Sequence, residues 1–335
     1  MTTLARRPWL TTVRHGKDED YAMPNRRDIL LGAATLAAVP GALAAQEAAP
    51  SAPRFHRMTV DSLPVAVVQD GVARLPDVTR SFVPGVPAEA VSAALAAAGT
   101  PGPGLDNPYN QTIVQTRAGL VLLDTGFGQG GPPGTGQRPA AMRAAGFDPA
   151  AVAVVVISHF HGDHIGGLIA PDGTPAFPNA AIKVPEAECA FWNDAGEESR
   201  ASEARRPGFA NARRRFAPYA EKVERFRPGA EVAPGITAVD TRGHSPGHVS
   251  FLIADGTAQC LVIGDAVIAP ALFMANPEWY PMFDMDPTQA VEMRKRLLER
   301  AAAERMPVIG YHFPFPATGR VERAGSGYRL VPSTA

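Results

Sequence analysis

The run Val152-Ala153-Val154-Val155-Val156-Ile157-Ser158-His159-Phe160-His161-Gly162-Asp163-His164 carries the reading of the fold. Its first half is an uninterrupted β-branched apolar segment, the pattern of a buried strand. Its second half places four metal-capable side chains, His159, His161, Asp163 and His164, on the loop leaving that strand. In extended backbone alternate side chains share a face, so His159 and His161 point one way. Asp163 and His164 then turn toward a second point. That geometry serves two neighbouring cations better than one. A lone histidine would carry no such meaning; the string does, because it directly follows a strand.

Three further candidates lie downstream: His244 in Gly243-His244-Ser245-Pro246-Gly247-His248, Asp265 in Leu261-Val262-Ile263-Gly264-Asp265, and His312 in Val308-Ile309-Gly310-Tyr311-His312. Each ends an apolar strand-like run, where a rigid scaffold fixes a ligand best. Two cysteines, Cys189 and Cys260, are too few for a disulfide framework or a thiolate zinc site. Any metal here is held by histidine and carboxylate. Ser158 and Ser245 stand beside these histidines and read as hydrogen-bond supports, not nucleophiles.

The remaining chain fits a globular enzyme. Of 335 residues 45% are hydrophobic and 19% charged, with 32 Lys and Arg against 33 Asp and Glu. A net charge of −1 leaves no basic field for a phosphate backbone, which argues against nucleic-acid binding. Asn25-Arg26-Arg27-Asp28 leads into the apolar segment Ile29 to Val39 and the small residues Ala42-Leu43-Ala44. This reads as a twin-arginine signal peptide over residues 1–44, too short and interrupted for a membrane span. The expected mature domain is 45–335, periplasmic or secreted, with no membrane contact after cleavage. Strands are expected at Met58 to Val60, Val65 to Val68, Thr112 to Gln115, Leu120 to Leu123, Val152 to Ile157, Ile236 to Asp240, Val249 to Ile253 and Cys260 to Ile263. Asp286-Pro287-Thr288-Gln289 opens the clearest helix, with Ala290, Met293, Leu297 and Ala301 on one face. Residues 99–107, 128–136 and 193–215 are expected as loops or lids. Strands in two batches, each followed by helices, predict an α/β protein: an αββα sandwich of two mixed sheets flanked by helices.

The string H-x-H-x-D-H at 159–164, with the later His244, Asp265 and His312, resembles the metallo-β-lactamase-fold hydrolases. Within them the chain is similar to the methyl parathion hydrolases, through Ala176-Phe177-Pro178-Asn179-Ala180, Phe191-Trp192, His312-Phe313-Pro314-Phe315-Pro316 and the tail from Gly325 to Pro332. The resemblance implies that His159, His161 and His244 hold one metal and Asp163, His164 and His312 the other, with Asp265 bridging. It makes Asp265 and Asp163 the carboxylates of the catalytic centre. It also gives Asp124, in Leu122-Leu123-Asp124-Thr125-Gly126, a supporting place beside the ligands. His248 is read in the same supporting way. The implied cofactors are two divalent ions, zinc being expected although manganese, iron or cobalt suit the same donors. Asp265 stands where a Cys-ligated β-lactamase has cysteine, and His161 where a flavodiiron protein has glutamate, so neither branch is favoured.

The implied activity is hydrolysis by a bridging hydroxide of a neutral small molecule: an organophosphate triester, an aryl ester or a lactone. The alternative is a lactonase, including action on acyl-homoserine lactones, with incidental phosphotriesterase activity. A non-catalytic periplasmic metal-binding protein is the reading from another class. Phe160, Trp192, Phe127, Phe273 and Phe313 are the expected substrate walls. Acyl-homoserine lactonases of this superfamily carry a tyrosine three residues after the bridging aspartate, where this chain has Ile268. That departure favours aryl substrates. A homodimer is allowed but not required.

Overall fold

The computed structural model describes residues 52–333. The twin-arginine segment lies outside the described residues. The first sheet runs in chain order: β1 (Phe55–Val60), β2 (Leu63–Leu75), β3 (Leu105–Thr116), β4 (Gly119–Leu123), β5 (Val152–Val156), β6 (Ala181–Pro185) and β7 (Val223–Phe226). Its first four strands pair antiparallel; from β4 to β7 the pairing is parallel. The second sheet comprises β8 (Glu231–Ala233), β9 (Ile236–Asp240), β10 (Val249–Asp255), β11 (Ala258–Val262), β12 (Pro307–Ile309), β13 (Thr318–Ala324) and β14 (Gly327–Pro332). Only β11 and β12 pair in parallel there. Val65, Val67, Val114, Val121 and Val156 of the first sheet share one core with Phe251, Ile253, Leu261 and Val308 of the second. Burying apolar faces of both sheets against each other is what holds the sandwich together.

The helices are α1 (Ala88–Ala97), α2 (Arg138–Ala144), α3 (Gly162–Ile165), α4 (Glu186–Trp192), α5 (Ala195–Arg200), α6 (Arg206–Phe216), α7 (Pro270–Phe273) and α8 (Pro287–Ala303). Among the described residues none is long and apolar enough to cross a membrane. α8 begins as its sequence predicts, the Asp286 side chain accepting from Gln289 N at 3.0 Å. Its buried face differs, however: Ala290, Leu297 and Ala301 are joined by Arg294 and Leu298, and Met293 is only half-buried. The reason is an ion pair that draws Arg294 inward, described below.

The charged stretch 193–215 is not a loop. It holds α5 and most of α6, where Phe209, Ala212 and Phe216 recur at helical spacing and bury one face. Arginines on the opposite face hid that stripe from a reading by composition. β2 and β3 also run longer than expected, and β2 is interrupted by a bulge at Asp70. The buried Asp70 carboxylate accepts the backbone N–H groups of Phe127, Gly136 and Arg138. Those three bonds tie down the Gly-rich stretch 128–136, which the sequence reading expects as a loop or lid.

Candidate active site

Every residue of the metal-capable string and its downstream partners follows a strand end. Asp124 follows β4, and His159 and His161 follow β5. Asp163 and His164 sit in α3, Asp265 follows β11, and His312 lies just beyond β12. His244 lies on the connection from β9 to β10. Because β4 pairs parallel with β5, and β11 with β12, their carboxyl ends deliver these side chains to one side of the sandwich.

There the donor atoms gather into groups that could hold metal ions. His159, His161 and His244 form one; Asp163, His164, Asp265 and His312 form another. His161 Nδ1 and His244 Nε2 stand 3.0 Å apart. Asp265 lies between the groups: Oδ2 is 3.3 Å from His244 Nε2 and 3.2 Å from His312 Nε2, and Oδ1 is 3.3 Å from His164 Nε2. Asp163 Oδ2 is 3.4 Å from both His164 Nε2 and His312 Nε2.

Three of the candidate ligand histidines have Nδ1 held by a carboxylate or a backbone carbonyl behind the site, which turns Nε2 inward. His164 Nδ1 meets Asp124 Oδ2 at 2.9 Å, His244 Nδ1 meets Asp284 Oδ1 at 2.9 Å, and His312 Nδ1 donates to Pro108 O at 2.9 Å. Asp124 also accepts from Ser158 N and Ser158 Oγ. It does so from a left-handed backbone, φ 61°, a conformation a non-glycine residue keeps only where its surroundings impose it. Asp284 is itself paired with the buried Arg294 at 2.8 Å. This is the ion pair that turns the α8 face.

His248 lies near His159 and Asp265, but its Nε2 accepts the Asp265 backbone N–H at 3.0 Å and its Nδ1 meets Thr241. Both ring nitrogens are occupied, so it positions the Asp265 turn. A side chain at Gly264, φ 59°, would press on the same ring at 3.0 Å.

The sequence reading missed Glu188. Wholly buried on α4, it accepts Phe160 N and Trp192 Nε1 on one oxygen, and Ser245 Oγ and Gly247 N on the other. It therefore ties the His159–His161 loop to the His244 loop. A single glutamate in an unremarkable helix carries no signal for this; Asp284 and Arg294 were equally silent.

The donor set fits divalent cations. Nε2 of His159, Nε2 of His164 and Oδ1 of Asp265 are buried without a hydrogen-bond partner, which is costly unless something else satisfies them. Charge tells the same story. Burial opposes a proton on His164, yet the carboxylates of Asp265, Asp163 and Asp124 override it and hold its pKa well above the usual histidine range. Burial likewise raises Asp265, but His164 and His312 hold it well below the usual carboxylate range. The cluster is built to surround positive charge. Burial keeps His159 and His161 neutral, the state in which imidazole binds metal, with the His161 pKa lowered to about 3.

The expected substrate walls divide. Phe273 and Phe313 are 0% exposed and belong to the core between the sheets, so neither lines a cleft. Phe160 is also buried, its ring packed on Phe216 with centroids 4.4 Å apart. Alternation sends it away from the histidines on either side. Trp192 lies closer to the chemistry, 6.1 Å from the His161 ring, but its indole N–H is held by Glu188. Phe127 is half-buried against Tyr109 at 4.8 Å.

Residues 104–312 match the family model described as "Metallo-beta-lactamase superfamily". The chain belongs to that superfamily. Among its relatives, an N-acyl homoserine lactonase from Bacillus sp is 27% identical over 230 residues, covering 63% of this chain and 82% of the relative. N-acyl homoserine lactonase AttM of Azorhizobium caulinodans is 33% identical over 187 residues, 52% of this chain and 63% of that one. Among solved structures of the superfamily fold, AidC, described as a dizinc quorum-quenching lactonase, has a TM-score of 0.79 at 22% identity, covering 85% of this chain and 99% of its own. AbOPH, a hydrolase in the beta lactamase superfamily, has a TM-score of 0.79 at 24% identity, covering 84% and 98%. The resemblance thus holds for the superfamily, but the relatives found include N-acyl homoserine lactonases and probable metallo-hydrolases where the sequence reading had placed methyl parathion hydrolases.

Proposed function

We propose that this protein is a binuclear-metal lactonase acting on N-acyl homoserine lactones. One observation carries the reading: two groups of mostly buried donors meet at Asp265, in a chain whose relatives include N-acyl homoserine lactonases. His159, His161 and His244 would hold one ion and Asp163, His164 and His312 the other, with Asp265 between them. When bound, such ions supply Lewis acidity toward an ester carbonyl and lower the pKa of water. The residues around them keep donors rigid and preorganised: Asp124 orients His164, Asp284 orients His244, and Glu188 joins the two histidine loops.

The test is purified protein with metal quantified, assayed in parallel on N-hexanoyl homoserine lactone, an aryl acetate and an aryl phosphotriester. About two divalent ions per chain and the highest kcat/KM on the lactone are expected. A higher kcat/KM on either aryl substrate would return the reading to the one Ile268 favours.

A further inference from the structure

A lactone carbonyl oxygen gains negative charge as its carbon is attacked, and a neutral donor beside it would stabilise that charge. Ile268 is buried and has no hydrogen to offer. The hydroxyls around the cluster are almost all spent. Ser158 Oγ donates to Asp124, Ser245 Oγ to Glu188, Thr125 Oγ1 to the His164 carbonyl, and Tyr311 Oη to the Asp163 carbonyl at 2.6 Å.

Tyr109 differs. It sits on β3 with its ring 5.3 Å from the His312 ring and 6.4 Å from that of Tyr311. Its hydroxyl oxygen accepts from Asn107 Nδ2 at 3.1 Å, and among the described residues no acceptor takes its hydrogen. Asn107 therefore fixes the oxygen and leaves the O–H bond free to point elsewhere. The ring is only 4% exposed, braced by half-buried Phe127, so the phenol is held rather than mobile.

We propose that Tyr109 donates its hydroxyl hydrogen bond to the substrate carbonyl oxygen, supplying from β3 the phenol that position 268 lacks. The proposal rests on the lactonase reading. No bond is made or broken by the tyrosine; it stabilises the oxyanion as the tetrahedral centre forms. Removing one such donor typically costs about a hundredfold or more in rate.

The experiment compares wild type and Tyr109→Phe on N-hexanoyl homoserine lactone and an aryl acetate, with metal content, thermal melting and calorimetric binding of the corresponding non-hydrolysable lactam. Expected are unchanged metal content and melting, kcat on the lactone lowered about a hundredfold, and lactam affinity lowered far less, because the bond strengthens only in the transition state. Unchanged kcat, a change confined to KM, or loss of metal overturns Tyr109 as the donor. If the wild type turns over only the aryl acetate, the lactonase reading fails and Tyr109 is judged on that ester by the same kcat criterion. A wild type inert on both overturns both.

Discussion

Glu188 accepts the backbone N–H of Phe160 at 3.0 Å, a bond from the first turn of α4 to the peptide between two metal-capable histidines. Its other oxygen holds Ser245 and Gly247 on either side of Pro246, close after His244. Glu188→Ala would strand four buried donors at once. A loss of about 3–5 kcal/mol in urea unfolding is expected, the range for breaking a buried charged network. Glu188→Gln keeps the shape and should cost less in stability while lowering metal affinity, read by competition with a chelator.

Asp284 acts through His244 without facing the cluster's interior. Asp284→Asn removes the charge behind the ring and leaves Arg294 buried with a weaker partner. Metal affinity should fall about tenfold to a hundredfold, as for other carboxylates that orient a ligating histidine. Unchanged affinity by chelator competition would deny Asp284 that role.

Among the described residues, Asp265 is the one carboxylate within reach of both donor groups. Asp265→Ala should yield folded protein that retains fewer than two ions per chain and has lost turnover. Wild-type activity in a folded, metal-assayed variant would sink the binuclear assignment.

His248 gives metal-free protein a pH signature. Burial, then the charge of His244, lowers its pKa to about 3, while in the unfolded chain it titrates near the ordinary histidine value of 6.5. Above that value both states are neutral and the group contributes nothing to the pH dependence. As pH falls below it the unfolded chain takes a proton that the folded chain refuses, so stability drops until the folded pKa is reached. The slope from this group is about 1.4 kcal/mol per pH unit. His248→Gln should flatten the curve of urea stability against pH by that amount; parallel curves would assign the effect elsewhere.

Residues 26 and 27 give a prediction about export. Changing Arg26 and Arg27 together to lysine should leave uncleaved precursor in the cytoplasm, detected by fractionation and mass. Equal periplasmic yield from the double variant would remove the twin-arginine reading.

The strand Val152–Val156 and the residues 159–164 were legible from sequence because both depend on local pattern: β-branched hydrophobicity makes the strand, and close spacing makes the ligand string. The same holds for His244, Asp265 and His312, each marked by the apolar run before it, and for the two batches of strands that became two sheets. The helix under residues 206–216 was present in the spacing of Phe209, Ala212 and Phe216 but masked by surrounding arginines. What only tertiary structure decided are the relations between distant segments. Glu188, Asp284 and Arg294 carry no local mark, since a carboxylate becomes an organising group only when folding buries it among donors from other elements. Phe273 and Phe313 went to the core because packing between sheets, not the nearness of Phe313 to a ligand in sequence, determines what a ring touches. Tyr109 reached the site for the converse reason: it stands on β3 of the first sheet, His312 lies just beyond β12 of the second, 203 positions further along the chain, and packing of the two sheets brings together what the order of residues keeps apart.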